Sequence, residues 1–172
     1  MKSIETERLI LRNFKEEDYD DLFELLSQRK DDLFEAYPGI TFENGREHLK
    51  YRLGNDEFVA ISLKSENKII GNICLGKRNF NTLEIGYIVN KRYQRKGYAK
   101  EAATRLIEEA FSSGVHRIYG ESNPRNECSI SFLESLGFVQ EALFKQNVSS
   151  RNDKDGKPIY QDTAVFSLLS DK

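Results

Sequence analysis

Strand and helix signals in this chain predict an α/β fold of the mixed α+β kind: a central mixed, mostly antiparallel sheet with helices on both faces. Three observations carry that prediction. Apolar runs of strand length follow one another from residue 57 to residue 89 with only short polar turns between them, the pattern of antiparallel neighbours. The run 83–89 then passes through a glycine-bearing turn into a helical stripe, Ala99, Ala102, Ala103, Leu106 and Ala110, spaced at i, i+3, i+4, i+7 and i+11. Further strand and helix signals follow that helix, which makes the sheet mixed and covers both of its faces.

In order, residues 4–12 read as an opening strand. A helix follows over about 16–28, with Tyr19, Leu22, Phe23 and Leu26 on its buried face and acids in its first turn, where the dipole favours them. Residues 29–42 keep no period and contain Pro38-Gly39, the mark of a loop. A weaker helical pattern spans about 44–53 and stops at Gly54. Strands 57–63 and 68–75 are joined by Ser65-Glu66-Asn67, and Asn79-Phe80-Asn81 turns the chain into strand 83–89. After the long helix, Gly114 has the position of a C′ residue. Strand 117–122 runs to Asn123-Pro124, where proline ends pairing. Asn126 caps a short helix carrying Phe132, Leu133 and Leu136, closed by Gly137. Strands 138–145 and 160–169 flank a polar loop, 148–158. The order is βααβββαβαββ, with no linker or repeat, and residues 1–172 are expected to form one domain.

Bulk properties narrow the function. The chain is 38% apolar and 31% charged, ordinary for a globular domain, and its net charge is −2. That balance argues against nucleic-acid or anionic-membrane partners. No run approaches the ~18 apolar residues of a membrane span, and no signal peptide is visible, so a cytoplasmic location is expected. Cys74 and Cys128 are far apart, with only His48 and His116 beside them, which suggests neither a disulfide framework nor a metal site.

The turn Gln94-Arg95-Lys96-Gly97-Tyr98-Ala99 is the informative stretch. A strand feeding a glycine turn and a helix leaves backbone N–H groups unpaired at the helix start, and these with the dipole favour a phosphate. Six basic residues, Lys91, Arg92, Arg95, Lys96, Lys100 and Arg105, face the single acid Glu101 in an acidic protein. A strand–helix connection with a solvated basic surface reads equally well from this segment alone. The spacing fits neither a nucleoside-triphosphate loop nor a dinucleotide fingerprint.

The turn resembles the Gln/Arg-x-x-Gly-x-Gly/Ala signature of the GNAT superfamily of acetyl-CoA-dependent N-acetyltransferases, with Gln94, Gly97 and Ala99 at its defining positions. A second stretch, Asn126-Glu127-Cys128-Ser129 followed by Leu136-Gly137-Phe138, resembles that superfamily's Asn-x-x-Ser/Ala…Leu-Gly-Phe signature, although Asn126 also reads as a plain cap and Gly137 as a plain stop. The opening Thr6-Glu7-Arg8-Leu9-Ile10-Leu11-Arg12 and the terminal Asp162, Phe166 and Leu168 extend the likeness over nearly the whole chain. They point to the branch resembling ribosomal-protein alanine N-acetyltransferases.

The resemblance implies acetyl-CoA as co-substrate, with no metal, lying between two splayed parallel strands, 83–89 and 117–122. The pantetheine arm is expected along the backbone of Ile88, Val89 and Asn90. The diphosphate is expected on the N–H groups of Arg95, Lys96, Gly97, Tyr98, Ala99 and Lys100, with Gln94 shaping the turn, and Asn126 and Ser129 in the same site. An N–H near Ile88 is the expected oxyanion donor. Glu84 is the expected general base through a bound water, its alternative being a salt-bridged strand glutamate. Ser129 is the expected partner of the departing sulfur, its alternative being a structural helix-end serine. The tyrosine that many of these enzymes carry four residues before Gly-Phe is Leu133 here, which leaves Ser129 or water to protonate the thiolate. Cys128 reads as a small buried thiol rather than an acyl carrier.

The acceptor expected from the resemblance is a primary amine, on a small molecule or a protein N-terminus. Asp31, Asp32, Glu35, Asp153 and Asp155, in the loops 29–42 and 148–160, are candidates to attract it. Monomer and homodimer are both left open. The competing class is a non-catalytic acyl-CoA-binding or sensor module that keeps the same cleft.

Overall fold

The computed structural model describes residues 1–29, 34 and 40–170. Among these residues, eight strands form one sheet in the order β1-β2-β3-β4-β5-β6-β8-β7. They are β1 (Ile4–Glu5), β2 (Leu9–Arg12), β3 (Phe58–Leu63), β4 (Lys68–Arg78), β5 (Thr82–Val89), β6 (Arg117–Ser122), β7 (Val139–Asn152) and β8 (Pro158–Leu169). Every neighbouring pair is antiparallel except β5 and β6. Among the described residues, four α-helices cover the faces: α1 (Tyr19–Ser27), α2 (Phe42–Arg52), α3 (Tyr98–Ser112) and α4 (Glu127–Ser135).

The two faces have separate cores. On one, Ala102, Ala103, Leu106, Ile107 and Ala110 of α3 and Leu133 of α4 pack on Leu9, Leu11, Val59, Ile61, Ile73, Ile85 and Ile118. This is the small-residue stripe read from the sequence, and its alanines let the helix approach the sheet closely. On the other, Tyr19, Leu22 and Leu26 of α1 and Leu49 of α2 pack on Ala60 and Ile69. Alternation along β5 therefore turns Leu83, Ile85 and Tyr87 towards α3 and α4, and Glu84, Gly86 and Ile88 towards the α1/α2 side.

Three expectations need correction. The opening strand, read as continuous over 4–12, is two short strands. The Thr6 N–H donates to the Leu9 carbonyl at 3.0 Å and the Leu9 N–H to Thr6 Oγ1 at 3.0 Å, so a serine/threonine-type turn breaks the run. The second helix starts earlier than residue 44, because Thr41 and Asn44 exchange reciprocal side-chain bonds at 2.8 and 3.3 Å. The polar loop 148–158 is mostly strand: β7 and β8 stay paired to Asn152↔Pro158, leaving only residues 153–157 as a turn. Asp153 builds that turn by accepting the N–H groups of Asp155 and Lys157 at 2.9 Å each, so its carboxylate has a structural task. Most of the loop 29–42, with Asp31, Asp32 and Glu35, lies outside the described residues.

Ionic bolts fix α1 to the sheet beside the split. Lys68 bridges Asp21 at 2.7 Å and Glu24 at 2.9 Å, and Glu24 also accepts from the fully buried Asn90 at 2.8 Å. The two carboxylates hold the Lys68 ammonium well above its ordinary pKa. The end of β5 is thereby held rigid where the chain enters the basic turn.

Candidate active site

β5 and β6 pair only at Thr82↔Arg117, Leu83↔Ile118 and Glu84↔Tyr119, and beyond that the two strands diverge. Gly120 sits at the parting. A Cβ there would lie 3.1 Å from Ile85 and 3.3 Å from Leu133, so only glycine lets α4 seat against β5 at this level. Along β5, hydrogen bonding alternates. Asn90 N–H donates to its opposite residue Ile70, which assigns the peptide groups of Ile88, Gly86 and Glu84 to β4 and turns those of Tyr87 and Val89 towards the gap. Of the three residues expected to carry the pantetheine arm, Val89 alone presents its backbone to the gap. Ile88 and Asn90 are engaged with β4, and the Asn90 side chain caps Arg92 at 3.0 Å.

The basic turn closes one end of the gap. Gly97 has φ +83° and Arg95 φ +59°, a left-handed pair of positions that curls the peptide groups inward. Glu101 N–H donates to the Gly97 carbonyl at 3.0 Å. Gln94 (φ −66°, ψ 159°) and Arg95 form a type II turn that directs the Lys96 N–H back towards Tyr93, while the N–H groups of Arg95, Gly97, Tyr98, Ala99 and Lys100 have no hydrogen-bond partner among the described residues. These free donors at the start of a fifteen-residue helix form an anion cradle. The cradle is braced from behind: Glu101 accepts from Thr6 Oγ1 at 2.6 Å, from Arg8 N–H at 2.9 Å and from Arg8 Nε at 2.6 Å. Arg8 in turn donates to the Lys96 carbonyl at 3.0 Å and stacks on Tyr98 at 4.5 Å. Those bonds outweigh burial and hold the Glu101 carboxyl below its ordinary pKa. The Thr-Glu-Arg string near the N-terminus thus supports the turn rather than touching the cleft. Gln94 donates from Nε2 to the Val89 carbonyl at 3.0 Å, tying the turn to the end of β5.

A cleft of about 610 Å³ runs from this turn along β5 to α4, lined among others by Gln94, Gly97, Ala99, Val89, Asn126 and Ser129. The residues of the two sequence signatures therefore share one cavity. Asn126 caps α4 by accepting Ser129 N–H at 3.2 Å. The Ser129 hydroxyl lies 2.7 Å from the Tyr87 phenol, whose ring packs edge-on against Phe132 at 4.4 Å. Burial pushes the Tyr87 phenol above its ordinary pKa, so it stays protonated at neutral pH. Leu133 is 1% exposed in the core and does not reach the cleft. Sequence reading missed Tyr87 as a site residue. The available signal was strand alternation, which puts it on the face of α4. Cys128, expected to be buried, is exposed and lines the cleft, because its place in the first turn of α4 faces outward.

Glu84 stands on the other face of the sheet and does not line this cleft. Its carboxylate is paired with Arg78 and accepts from the Tyr119 phenol at 3.1 Å. Glu121, two residues beyond Tyr119 on the same face, has neither hydrogen bond nor ion pair among the described residues. Desolvation, with the nearby charge of Glu84 behind it, raises its pKa. The sequence reading passed over Glu121, since nothing in the local pattern separates it from any strand glutamate.

A sheet of this order, split between its parallel pair above a helix start, defines the fold of an N-acetyltransferase. Residues 8–139 match the family model described as an acetyltransferase (GNAT) domain. The uncharacterized N-acetyltransferase YnaD of Bacillus subtilis (strain 168) is 31% identical over 153 residues, spanning 87% of this chain and 90% of the relative. The solved GNAT-family acetyltransferase from Bacillus anthracis superposes with a TM-score of 0.88 at 27% identity, covering 99% and 100% of the two chains. RimL, a ribosomal α-N-protein acetyltransferase solved in complex with coenzyme A, shares the fold with a TM-score of 0.83 at 19% identity, covering 99% of each chain. The chain belongs to the GNAT acetyltransferase family and is an N-acetyltransferase. No described helix is long and apolar enough to cross a membrane.

Proposed function

We propose that this enzyme binds acetyl-CoA along the β5–β6 gap and passes the acetyl group directly to a primary amine, on a small molecule or a protein N-terminus. The observation that carries this reading is the cluster of unpartnered N–H groups at Arg95 and Gly97–Lys100, at the end of a gap whose floor holds Tyr87 and Ser129. The diphosphate fits the cradle, where anionic charge meets the helix dipole, and the pantetheine fits the gap-facing N–H of Val89, whose carbonyl Gln94 already engages. Arg92, Arg95, Lys96 and Lys100 surround that end with exposed positive charge, which steers a polyanion more than it tightens binding.

The amine attacks the thioester carbonyl carbon, and the peptide N–H of Tyr87 or Val89, facing the gap, is placed for the oxyanion. As the C–S bond breaks, the thiolate needs a proton. When the Tyr87 phenol donates to Ser129 Oγ rather than to the Ser129 carbonyl 3.2 Å away, the serine proton is free for the sulfur, so a strand phenol serves where the usual helix tyrosine is Leu133. The proton leaving the amine goes through water to the carboxylate pair on the far face. Glu121 is the acceptor there, and Glu84, already bonded to Arg78 and Tyr119, holds its environment.

The experiment is to incubate the protein with acetyl-CoA and a panel of amines and peptides while following free thiol. Amine-dependent thiol release supports direct transfer. Tight acetyl-CoA binding without release across the panel would instead mark a binding module.

A further inference from the structure

On the α1/α2 side, Phe58, Cys74 and Gly86 lie in register across β3, β4 and β5. Beyond the helices this row is floored by small residues: a Cβ at Gly86 would meet only Cys74, at 3.8 Å. One end of the row holds Glu84, Arg78, Tyr119 and Glu121. The other end is Arg52, the last residue of α2, only 5% exposed. Its guanidinium stacks 4.8 Å over the Phe58 ring and gives Nη1 to the His48 carbonyl at 2.9 Å. Its Nε is buried with no hydrogen-bond partner, and no ion pair engages the group among the described residues. The nearest candidate in sequence, Glu57, is engaged by the Lys77 N–H at 2.9 Å.

A buried guanidinium without an anion is rare, because a π-face and one carbonyl do not neutralise the charge. Arg52 also lines a second cavity of about 420 Å³, with His48, Tyr51 and Phe58 as walls and the exposed Glu47 at its rim. Burial and the Arg52 charge hold His48 below its ordinary pKa, so the imidazole adds no competing positive charge at neutral pH. Burial first, and then the Glu57 charge, raise the Cys74 thiol pKa; Cys74 itself stands midway along the row, between Phe58 and Gly86.

Resting on the acetyltransferase reading above, we infer that Arg52 is the anchor for a carboxylate on the acceptor, so that the substrate is an amine whose far end is anionic. Nη2, which makes no hydrogen bond among the described residues and is not enclosed as Nε is, is the donor open to a carboxylate, and the orphaned Nε on the same edge completes two parallel N–H bonds as the group turns to meet it. Strands lie about 4.8 Å apart, so two spacings set the carboxylate roughly 10 Å from the β5 edge of the gap where the amine is poised. An extended chain covers that span in about three residues. The acceptor class is therefore a short peptide, or an amine of similar length, with a free carboxyl terminus.

The test uses glycine oligomers of one to four residues, each as the free acid and as the C-terminal amide. Turnover with acetyl-CoA and calorimetric binding to the CoA-loaded protein are both measured. The acid is expected to beat its amide by about tenfold or more in kcat/KM, most strongly near triglycine, as suits one charge-assisted bidentate contact. Arg52→Gln should shrink that ratio to below about twofold with acetyl-CoA affinity unchanged. Equal use of acid and amide by the unaltered protein, or a preference that survives Arg52→Gln, overturns the inference while leaving acetyl transfer intact. Arg52-dependent binding of triglycine without turnover supports the anchor and counts against the transfer reading. The comparison on the unaltered protein does not depend on the variant folding.

Discussion

The phenol of Tyr87 and the hydroxyl of Ser129 lie 2.7 Å apart, joining β5 to the first turn of α4 across the floor of the cleft. With the phenol as donor, the serine keeps a proton to give; with the phenol turned to the Ser129 carbonyl at 3.2 Å, it does not. Tyr87→Phe keeps the edge-on contact with Phe132 and removes only the donor. It should lower kcat by about 10²-fold, the scale of one acid–base group, with little change in acetyl-CoA affinity. Single-turnover thiol release alongside equilibrium binding checks this. A loss in affinity equal to the loss in rate would make the pair a structural strut.

Gly97 carries the turn geometry. At φ +83° any side chain is strained, and a Cβ would approach Arg8 Nη2 to 3.2 Å. Gly97→Val should cost about 1–2 kcal/mol in fold stability from the left-handed backbone alone. Its larger effect should be loss of measurable acetyl-CoA binding, because the N–H groups no longer converge. Calorimetric titration at matched folded fraction separates the two effects.

Glu101 touches no ligand in this account, yet it holds Thr6 and Arg8, and Arg8 holds the Lys96 carbonyl. Glu101→Gln is expected to weaken acetyl-CoA binding several-fold while leaving kcat at saturation near the original value. A change in kcat alone would contradict a bracing role.

Much of this was legible in the sequence because each signal was local. The alanine stripe of α3, the Asn126 cap and the Gly114 and Gly137 stops are set by neighbours within one or two turns. What escaped depends on partners distant in the chain. Tyr87 owes its place to Ser129, 42 residues on. The break at Thr6 is stabilised by Glu101, 95 residues away. The hairpin 139–169 extends well past its expected limits because polar residues can pair in a ladder as well as line a loop. Glu84 and Glu121 look alike in sequence, and only cross-strand neighbours distinguish the paired carboxylate from the unpaired one.

pH separates two further carboxylates. Arg117 holds Glu141 down to about 2 from the ordinary 4.5. A depressed carboxyl stabilises the fold above its ordinary value, and the contribution disappears as pH falls from about 4.5 towards 2. The melting-temperature gap between the unaltered protein and Glu141→Gln should be present at neutral pH and close over that window, though solvent screening keeps it small. Glu121 is shifted the other way. As the base it must be ionised, so the acidic limb of kcat/KM should lie above the ordinary carboxylate range and be abolished in Glu121→Gln. In Glu84→Gln the limb should persist, moved towards lower pH, because removal of a neighbouring negative charge eases ionisation of Glu121. A limb unchanged by Glu121→Gln would return the role of base to Glu84.

The most direct measurement is a crystal structure of the protein with acetyl-CoA. The account predicts the diphosphate within hydrogen-bonding distance of the N–H groups between Arg95 and Lys100, and the thioester sulfur beside Ser129 in the gap between β5 and β6. A diphosphate bound anywhere else on the molecule would contradict it.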